Sequence, residues 1–322
     1  MSEFDLINQY FKTASVKRKD VVLGIGDDCA LLSPPPGKQL AVSTDTLISG
    51  VHFPENTKPE DIGYKSLAVN LSDLAAMGAE PAWVSLAISL PEVNETWLEG
   101  FMSGFSELAQ QYNVSLIGGD TTRGPLSVTV SITGFVSAGA ALRRDAAKAG
   151  DYIYVTGSLG DARLGLEAIL NNTVIDNDVQ FCINRLNRPE ARVLAGRLLS
   201  ELTDITAIDI SDGLLADLSH ICEASKTGAS IELQSLPLST QLRRVYQQQP
   251  EWEKVLSAGD DYELCFCCSP GQESAVLETF KAHDIVLNKI GVITESKGIQ
   301  CVQADGSLLE IDHQGYNHFQ SE

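Results

Sequence analysis

Apolar residues alternate with small or polar residues over two long stretches of the chain, 82–90 and 126–132, and this period of two predicts two long strands. Apolar residues at helical spacing predict a short amphipathic helix over 3–12. The pattern of the first half also predicts strands near 21–26 and 39–45, a helix from Pro59 to Met77 and a helix over 95–112.

The segment 137–150 is rich in small and polar residues and has little apolar periodicity, so we place a domain boundary there. At 322 residues the chain is also long for a single hydrophobic core. The sequence therefore predicts an α/β fold with two domains, 1–138 and 149–322. The second domain is predicted to have strands at 152–156, 229–233, 262–268, 286–292 and 299–303, a strand into Asp209, and helices near 160–171, near 188–202 and from Asp212 to about Lys226.

The long alternating strands of the first domain predict a sheet with two different faces. Such a sheet can pack helices on one face and another sheet on the other. A second copy of the same chain is able to supply that second sheet, so we expect a homodimer.

Acidic residues follow apolar runs at several places in the chain, and in most of these runs a glycine or a hydroxyl residue lies beside the acid. They are Asp27 and Asp28, Asp45, Asp120, and Asp209 with Asp212. Carboxylates that converge from such positions resist joint ionisation unless a cation neutralises them. Mg²⁺ prefers oxygen ligands of this kind. We therefore predict a magnesium-dependent enzyme that acts on a phosphorylated substrate.

Each acidic turn also has an ordinary structural interpretation. A Gly-Asp pair is common in turns, and Asp212 stands where the cap of a helix is expected. Asp73 is less easily explained, because it lies late in a predicted helix, near the negative end of the helix dipole and among apolar neighbours. We interpret Asp73 as an acid whose charge a cation compensates.

Composition argues against several classes of function. The net charge of −20 argues against binding to nucleic acid or to an anionic membrane surface. No stretch is long and apolar enough to span a bilayer, and the acidic N-terminus is unlike a signal peptide, so we expect a cytoplasmic protein. The seven cysteines lack zinc-site spacing, and no P-loop motif occurs.

Six motifs occur in order along nearly the whole chain. They are Gly24-Ile25-Gly26-Asp27-Asp28, Ser43-Thr44-Asp45-Thr46, Asn70-Leu71-Ser72-Asp73-Leu74-Ala75-Ala76-Met77-Gly78, Gly118-Gly119-Asp120-Thr121-Thr122, Asp209-Ile210-Ser211-Asp212-Gly213 and Asp260-Asp261-Tyr262-Glu263-Leu264. In this order and spacing they resemble the bacterial thiamine-monophosphate kinase family. The resemblance implies the two-domain fold of the aminoimidazole-ribonucleotide-synthetase superfamily, with an N-terminal sheet that forms the dimer interface and a C-terminal α/β domain.

The resemblance also implies a reaction and a set of site residues. The reaction is ATP-dependent phosphorylation of thiamine phosphate to thiamine diphosphate with several Mg²⁺ ions, the last step of thiamine diphosphate biosynthesis. By match of motif, the implied magnesium ligands are Asp28, Ser43, Thr44, Asp45, Asp73, Asp120, Asp209 and Asp212. The implied ATP contacts are Gly119, Asp120, Arg144 and Ser211, and the implied contacts to the thiamine end are His52, Asp260 and Tyr316. The family often has Glu at the position of Asp260, so the reach of this side chain is shorter here.

No Cys or Ser is set beside a base as a nucleophile, so we expect direct in-line transfer with no covalent catalytic residue. Two other interpretations stay open. One is another ATP-using enzyme of the same superfamily, of the synthetase type. The other is a non-catalytic acidic protein that binds divalent cations, which would scatter its acids along exposed faces.

Overall fold

The computed structural model describes residues 7–247, 249–311 and 315. The chain divides into two compact units, which we describe separately. The first comprises the residues up to Leu74 and Ala79–Gly139, and the second comprises Ala75–Gly78 and the residues from Ala140 onward. No helix within the described ranges is long and apolar enough to cross a membrane. The functional domain limits 1–138 and 149–322 stay a prediction.

The first unit contains one main sheet and two long helices. After a π-helical turn, Ile7–Lys12, its elements are β1 (Val21–Leu23), β2 (Leu31–Leu32), β3 (Lys38–Ile48), α1 (Pro59–Ala76), β4 (Glu80–Leu90), α2 (Glu95–Gln111), β5 (Ser115–Arg123) and β6 (Ser127–Ser137). Strands β3, β6, β4 and β5 form the sheet in that order, and only the β4–β5 pair among them is parallel.

Two of the predicted strand-end acids lie inside strands. Asp45 is in the second half of β3, and Asp120 is in the second half of β5. The apolar runs before these two acids therefore do not mark the ends of the strands, and the predicted strand 39–45 was too short. The reason is that both strands continue through the polar residues after the apolar run, because β6 and β4 supply hydrogen-bonding partners there.

The two faces of the sheet differ in chemistry. Val130 and Ile132 of β6 are fully buried on the face where Ser43 of β3 donates a hydrogen bond to Asp73 of α1. The opposite face carries paired hydroxyls, with Thr44 Oγ1 2.9 Å from Ser131 Oγ. On that face Leu40, Val42 and Ile48 of the edge strand are 50%, 64% and 40% exposed. An exposed edge strand with apolar residues is a surface available for association.

The second unit is built on a seven-stranded mixed sheet. Its strands are β7 (Tyr152–Thr156), β8 (Ile205–Asp209), β9 (Gly228–Glu232), β10 (Leu264–Cys268), β11 (Leu287–Thr294), β12 (Gly298–Val302) and β13 (Leu308–Leu309), in the order β13-β12-β9-β11-β7-β10-β8. Its helices are α3 (Asp161–Leu170), α4 (Asn177–Asn187), α5 (Val193–Ser200), α6 (Leu214–Ser225), α7 (Thr240–Val245), α8 (Trp252–Ser257) and α9 (Glu273–Lys281). Leu214, Leu218 and Ile221 of α6 belong to the same apolar core as Ile153 and Ile208 of the sheet.

The start of α6 corrects one expectation. The helix begins at Leu214, and its N-cap is Gly213, which has no side-chain cap bond. Asp212 is therefore not the cap residue, because the backbone turns at Gly213, whose φ of 119° suits glycine. The ordinary structural explanation for Asp212 is lost.

Helices α1 and α2 cross at two glycines, which brings their backbones into contact. An alanine Cβ at Gly63 would lie 1.9 Å from the carbonyl oxygen of Phe101, and one at Gly104 would lie 1.8 Å from that of Glu60. No side chain fits at either position without separating the helices.

We expect Gly104→Ala to lower the free energy of unfolding by about 2 kcal/mol or more, because the new methyl group overlaps a backbone oxygen. Urea unfolding followed by circular dichroism measures the change. Gly100→Ala is the matched control on the same helix, since its Cβ would meet mainly side-chain atoms, with Pro59 Cβ at 3.1 Å. That variant gains helix propensity of about 1 kcal/mol and should be near neutral. Equal stability of the two variants would contradict this crossing.

Candidate functional site

The first pair of predicted oxygen ligands lies on β3 and α1. The hydroxyl of Ser43 donates a short hydrogen bond to the carboxylate of Asp73. Both side chains are half-buried, while Ser72 and Leu74 beside Asp73 are fully buried. The helix therefore fixes Asp73, and the strand fixes the hydroxyl against it. Two of the predicted magnesium ligands are thus hydrogen-bonded to each other.

Of the other predicted ligands of the first unit, Asp28 lies in a loop, while Thr44 and Asp45 lie on β3 beside Ser43. Asp28 is exposed in the loop between β1 and β2, where its N–H donates to Asp27 Oδ1 at 2.9 Å. Thr44 and Asp45 follow Ser43 on β3, so Asp45 faces the same side of the sheet as Ser43 and Thr44 faces the other.

Asp45 and Asp120 lie on opposite edges of the sheet. Asp45 of β3 is paired with Val130 of β6. Across the sheet, Val130 is paired with Leu86 of β4, and Leu86 is paired with Gly119 of β5. Three strand spacings separate the two edges by roughly 14 Å. Asp120 follows Gly119, so its side chain also points to the other face. One Mg²⁺ ion holds its ligands at about 2.1 Å and cannot bind both carboxylates within one chain.

Gly118 and Gly119 have different structural roles. A Cβ at Gly119 would lie 1.8 Å from the carbonyl oxygen of Leu86, so β4 requires glycine there. A Cβ at Gly118 would meet nothing within 4 Å. The predicted ATP contact Gly119 thus has a structural reason of its own, and the open side of the pair is at Gly118.

His52 is held by its neighbours on the first unit. Its Nδ1 accepts a hydrogen bond from the N–H of Ile48 at 3.0 Å, so a neutral imidazole carries its proton on Nε2. Lys65 of α1 is only 3% exposed, and its Nζ lies 3.3 Å from the carbonyl oxygen of His52. A buried lysine on α1 beside the predicted thiamine contact is a residue that the sequence pattern did not reveal.

In the second unit, the loop between β8 and α6 carries three of the predicted residues. Asp209 ends β8 and is 4% exposed, while Ser211 and Asp212 are half-buried. The carboxylate of Asp217, in α6, accepts hydrogen bonds from the N–H groups of Ser211, Asp212 and Gly213 at 3.0, 3.0 and 3.1 Å. Asp217 was not among the predicted residues, and it fixes the whole loop.

The charge of Asp217 is affected by its surroundings. Burial, together with the negative charge of nearby Asp209, raises the pKa of Asp217 to about 8, while the N–H groups of Asp212 and Ser211 act in the opposite direction. A cation close to these acids would favour their charged forms.

The loop before β10 carries the predicted substrate contact Asp260. Asp260 and Tyr262 both have left-handed backbones, with φ of 70° and 51°. Their N–H groups donate to the carbonyl oxygens of Ser211 and Ile210 at 2.9 and 2.8 Å. A backbone that is strained in this way persists only where its surroundings hold it, and such strain concentrates at functional sites.

Two buried acids after Asp260 anchor this loop. Asp261 accepts the N–H of Gly160 on both carboxylate oxygens at 3.0 Å, and burial raises its pKa. Glu263 is fully buried and accepts two hydrogen bonds from Arg192, each 2.6 Å, and one from Arg185 at 2.7 Å. The charge of Glu263 is thus paired with two arginines, whereas the side chain of Asp260 is half-buried.

Arg143 and Arg144 lie in the segment between β6 and β7, and Arg144 is the predicted ATP contact. Arg143 forms a bidentate ion pair with Asp145 at 2.6 and 2.9 Å. Arg144 is exposed, and in the described part of the chain its guanidinium has no ion pair, while its carbonyl accepts from Ser225. The remaining predicted residue, Tyr316, lies outside the described residues.

The ligand types fit Mg²⁺ better than a softer metal. Carboxylate and hydroxyl oxygens dominate both sets of candidate residues, which suits a hard cation. Across residues 7–247, 249–311 and 315, no three His, Cys, Asp or Glu side chains gather closely enough to hold a metal ion alone. Mg²⁺ in phosphoryl-transfer sites uses one or two carboxylates and completes its shell with water and substrate phosphates. The residues present fit such an ion.

Two family profiles match most of the chain. The profile "AIR synthase related protein, N-terminal domain" matches residues 26–136, and "AIR synthase related protein, C-terminal domain" matches residues 148–303. The chain is 48% identical to "Thiamine-monophosphate kinase" of Escherichia coli (strain K12) over 320 residues, which covers 98% of each chain. It is 36% identical to the Bacillus subtilis (strain 168) protein of the same name, covering 99% of this chain and 100% of that one.

Solved structures agree in fold. The thiamine-monophosphate kinase of Stenotrophomonas maltophilia K279a superposes with a TM-score of 0.87 at 46% identity, covering 96% of this chain and 98% of that one. "AaThiL complexed with AMPPCP and TMP" gives 0.79 at 30% identity, covering 98% and 97%. The hydrogenase maturation protein HypE of E. coli shares the fold alone, with a TM-score of 0.78 at 20% identity, covering 98% of this chain and 99% of that one. This chain therefore belongs to the thiamine-monophosphate kinase family of AIR synthase related proteins.

Proposed function

We propose that this protein transfers the γ-phosphoryl group of ATP to the phosphate of thiamine monophosphate, giving thiamine diphosphate and ADP. The observation that carries the proposal is full-length similarity to thiamine-monophosphate kinases, at 48% identity to the E. coli protein. The oxygen ligands of both units and the exposed Arg144 support it. Two alternatives stay open, a synthetase of the same superfamily and a non-catalytic protein that binds cations. Neither of them would form thiamine diphosphate.

The transfer is direct and in line, with a phosphate oxygen of thiamine monophosphate as the nucleophile. Six of the seven cysteines are buried, and burial raises the pKa of Cys265 and Cys267 well above the ordinary value. Buried thiols of this kind are poor nucleophiles. Cys29 is exposed, and no basic residue adjoins it in the sequence. We therefore assign no covalent catalytic residue.

The main task of this chain is to bring two polyanions together. Bound Mg²⁺ would neutralise the phosphates of both substrates and align them. The proposed ligands are Asp28, Ser43, Thr44, Asp45, Asp73, Asp120, Asp209 and Asp212. Gly119, Asp120, Arg144 and Ser211 are proposed to contact ATP, and His52, Asp260 and Tyr316 to contact the thiamine end.

A homodimer explains how Asp45 and Asp120 act on the same substrates. Within one chain these carboxylates lie on opposite edge strands, too far apart to share an ion. The exposed residues Leu40, Val42 and Ile48 give the edge strand an apolar surface suited to a second copy. In such a dimer, Asp120 of one chain completes the ion site that contains Asp45 of the other.

The reaction is tested by incubating the protein with ATP, Mg²⁺ and thiamine monophosphate and separating the products. We expect thiamine diphosphate and ADP in equal amounts, because each transfer makes one of each. Plain thiamine is the control and should give no thiamine diphosphate, because it lacks the acceptor phosphate. Failure of the wild-type protein to turn over thiamine monophosphate would rule the proposed reaction out.

The shared site is tested with Asp45→Asn and Asp120→Asn. Each variant alone should be nearly inactive but folded, because each removes one carboxylate from every site. We expect a heterodimer with one chain of each kind, purified through two different tags, to regain about half of the wild-type rate, since one of its two symmetric sites is intact.

The control for this complementation is a heterodimer of wild-type and Asp45→Asn chains, which should also have about half of the wild-type rate. A mixed Asp45→Asn/Asp120→Asn dimer as inactive as its parents would show that each site takes both residues from one chain.

A further inference from the structure

Asp217 is a buried acid whose role the sequence motifs leave unexplained. It lies in the first turn of α6 and is 3% exposed, and Leu214 and Leu218, three residues before and one after it in the same helix, belong to the apolar core. A buried carboxylate is costly unless hydrogen bonds compensate it. Here one of its oxygens, Oδ2, accepts all three N–H groups of Ser211, Asp212 and Gly213.

These three bonds determine the shape of the ligand loop. With their N–H groups turned inward to Asp217, the residues after β8 follow a tight path around one carboxylate oxygen. The same loop presents carbonyl oxygens to its neighbour, since Ile210 and Ser211 accept the N–H groups of Tyr262 and Asp260. Asp217 therefore fixes the loop of Asp209 and Asp212 directly and the loop of Asp260 through it.

Close backbone packing couples the two loops further. A Cβ at Gly259 would lie 2.3 Å from the carbonyl oxygen of Ser211, and one at Gly213 would lie 2.7 Å from the carbonyl carbon of Ser257. A shift of either loop would therefore move the other. The proposed metal ligands and the proposed substrate contact of this unit therefore lie on two loops that pack directly against each other.

We propose that Asp217 is a positioning residue for phosphoryl transfer, which holds Asp209 and Asp212 in the geometry that binds Mg²⁺ and carries Asp260 with them. The inference rests on the proposed function for the identity of the ion and the substrates. Asp217 itself is not a ligand in this proposal, because its oxygen Oδ2 is occupied by three backbone N–H groups. Residues that orient metal ligands typically change metal affinity 10- to 100-fold when they are removed.

The test measures Mg²⁺ binding apart from turnover. Thermal unfolding is followed at increasing Mg²⁺ with a fixed concentration of AMPPCP, an ATP analogue, and the Mg²⁺ concentration at half of the rise in unfolding temperature is recorded. We expect Asp217→Ala to raise this concentration about ten-fold or more. Asp217→Asn keeps an acceptor oxygen for the N–H groups and should show a smaller rise. The steady-state rate at saturating ATP should show the same ranking in its Mg²⁺ dependence.

Asp151 provides a matched control. It is a buried acid of the same unit, 7% exposed, whose Oδ2 accepts the N–H of Lys148 at 2.8 Å in a turn remote in sequence from the ligand loop. In the absence of Mg²⁺, Asp151→Ala should have a lower unfolding temperature than the wild-type protein. The Mg²⁺ concentration at half of the rise in unfolding temperature, the Mg²⁺ midpoint, should be unchanged. This separates a general loss of stability from a loss of positioning.

A wild-type Mg²⁺ midpoint in Asp217→Ala would overturn the inference. If that variant does not fold, a wild-type midpoint in Asp217→Asn would overturn it equally. A ten-fold rise of the Mg²⁺ midpoint in Asp217→Ala, found while the wild-type protein makes no thiamine diphosphate, would support the positioning role and refute the proposed reaction instead.

Discussion

Repulsion between negative charges is the constraint on which the arrangement of this protein depends. The chain carries a net charge of −20, and its proposed substrates add two polyanions. Within the fold, buried acids differ in how their negative charge is compensated, and this difference corresponds to their roles. Glu263 is neutralised by two arginines, whereas Asp217 is held by backbone N–H groups. An acid that is paired with arginines has its negative charge neutralised. Uncharged N–H donors hold an acid in place but leave its negative charge to act on neighbouring groups. Divalent ions are the simplest compensation for the charge that remains.

The sequence predicted the long elements well and the short ones poorly. Strands β4 and β6 and helices α1 and α2 lie close to their predicted ranges, because alternation and helical spacing extend over many residues. Helix α4 was missed, although Asp176 caps it with bonds to the N–H groups of Asp178 and Val179. That cap is a signal readable from sequence. Strands β3 and β5 continue past Asp45 and Asp120, because apolar runs show where a strand is buried and not where its pairing ends.

The candidate site shows the same division between local and non-local information. Motif order gave the predicted ligand and substrate-contact residues. In the structure, Ser43 donates a hydrogen bond to Asp73, and the loop of Asp260 is hydrogen-bonded to that of Ser211. Asp217 was missed, because a buried acid on an apolar helix face looks unfavourable until its three backbone donors are known. The separation of Asp45 from Asp120 depends on strand order, which no local pattern contains. Strand order is also what makes a second chain part of the proposed site.

Crystals grown with Mn²⁺, AMPPCP and thiamine monophosphate would show whether divalent ions compensate these acids, because anomalous scattering locates the ions. We expect Mn²⁺ peaks within about 2.2 Å of carboxylate oxygens of Asp73 and Asp45. A further peak is expected beside Asp209, and phosphate oxygens should complete each shell. Ions bound elsewhere, or phosphates lying against these acids with no ion between them, would contradict the account.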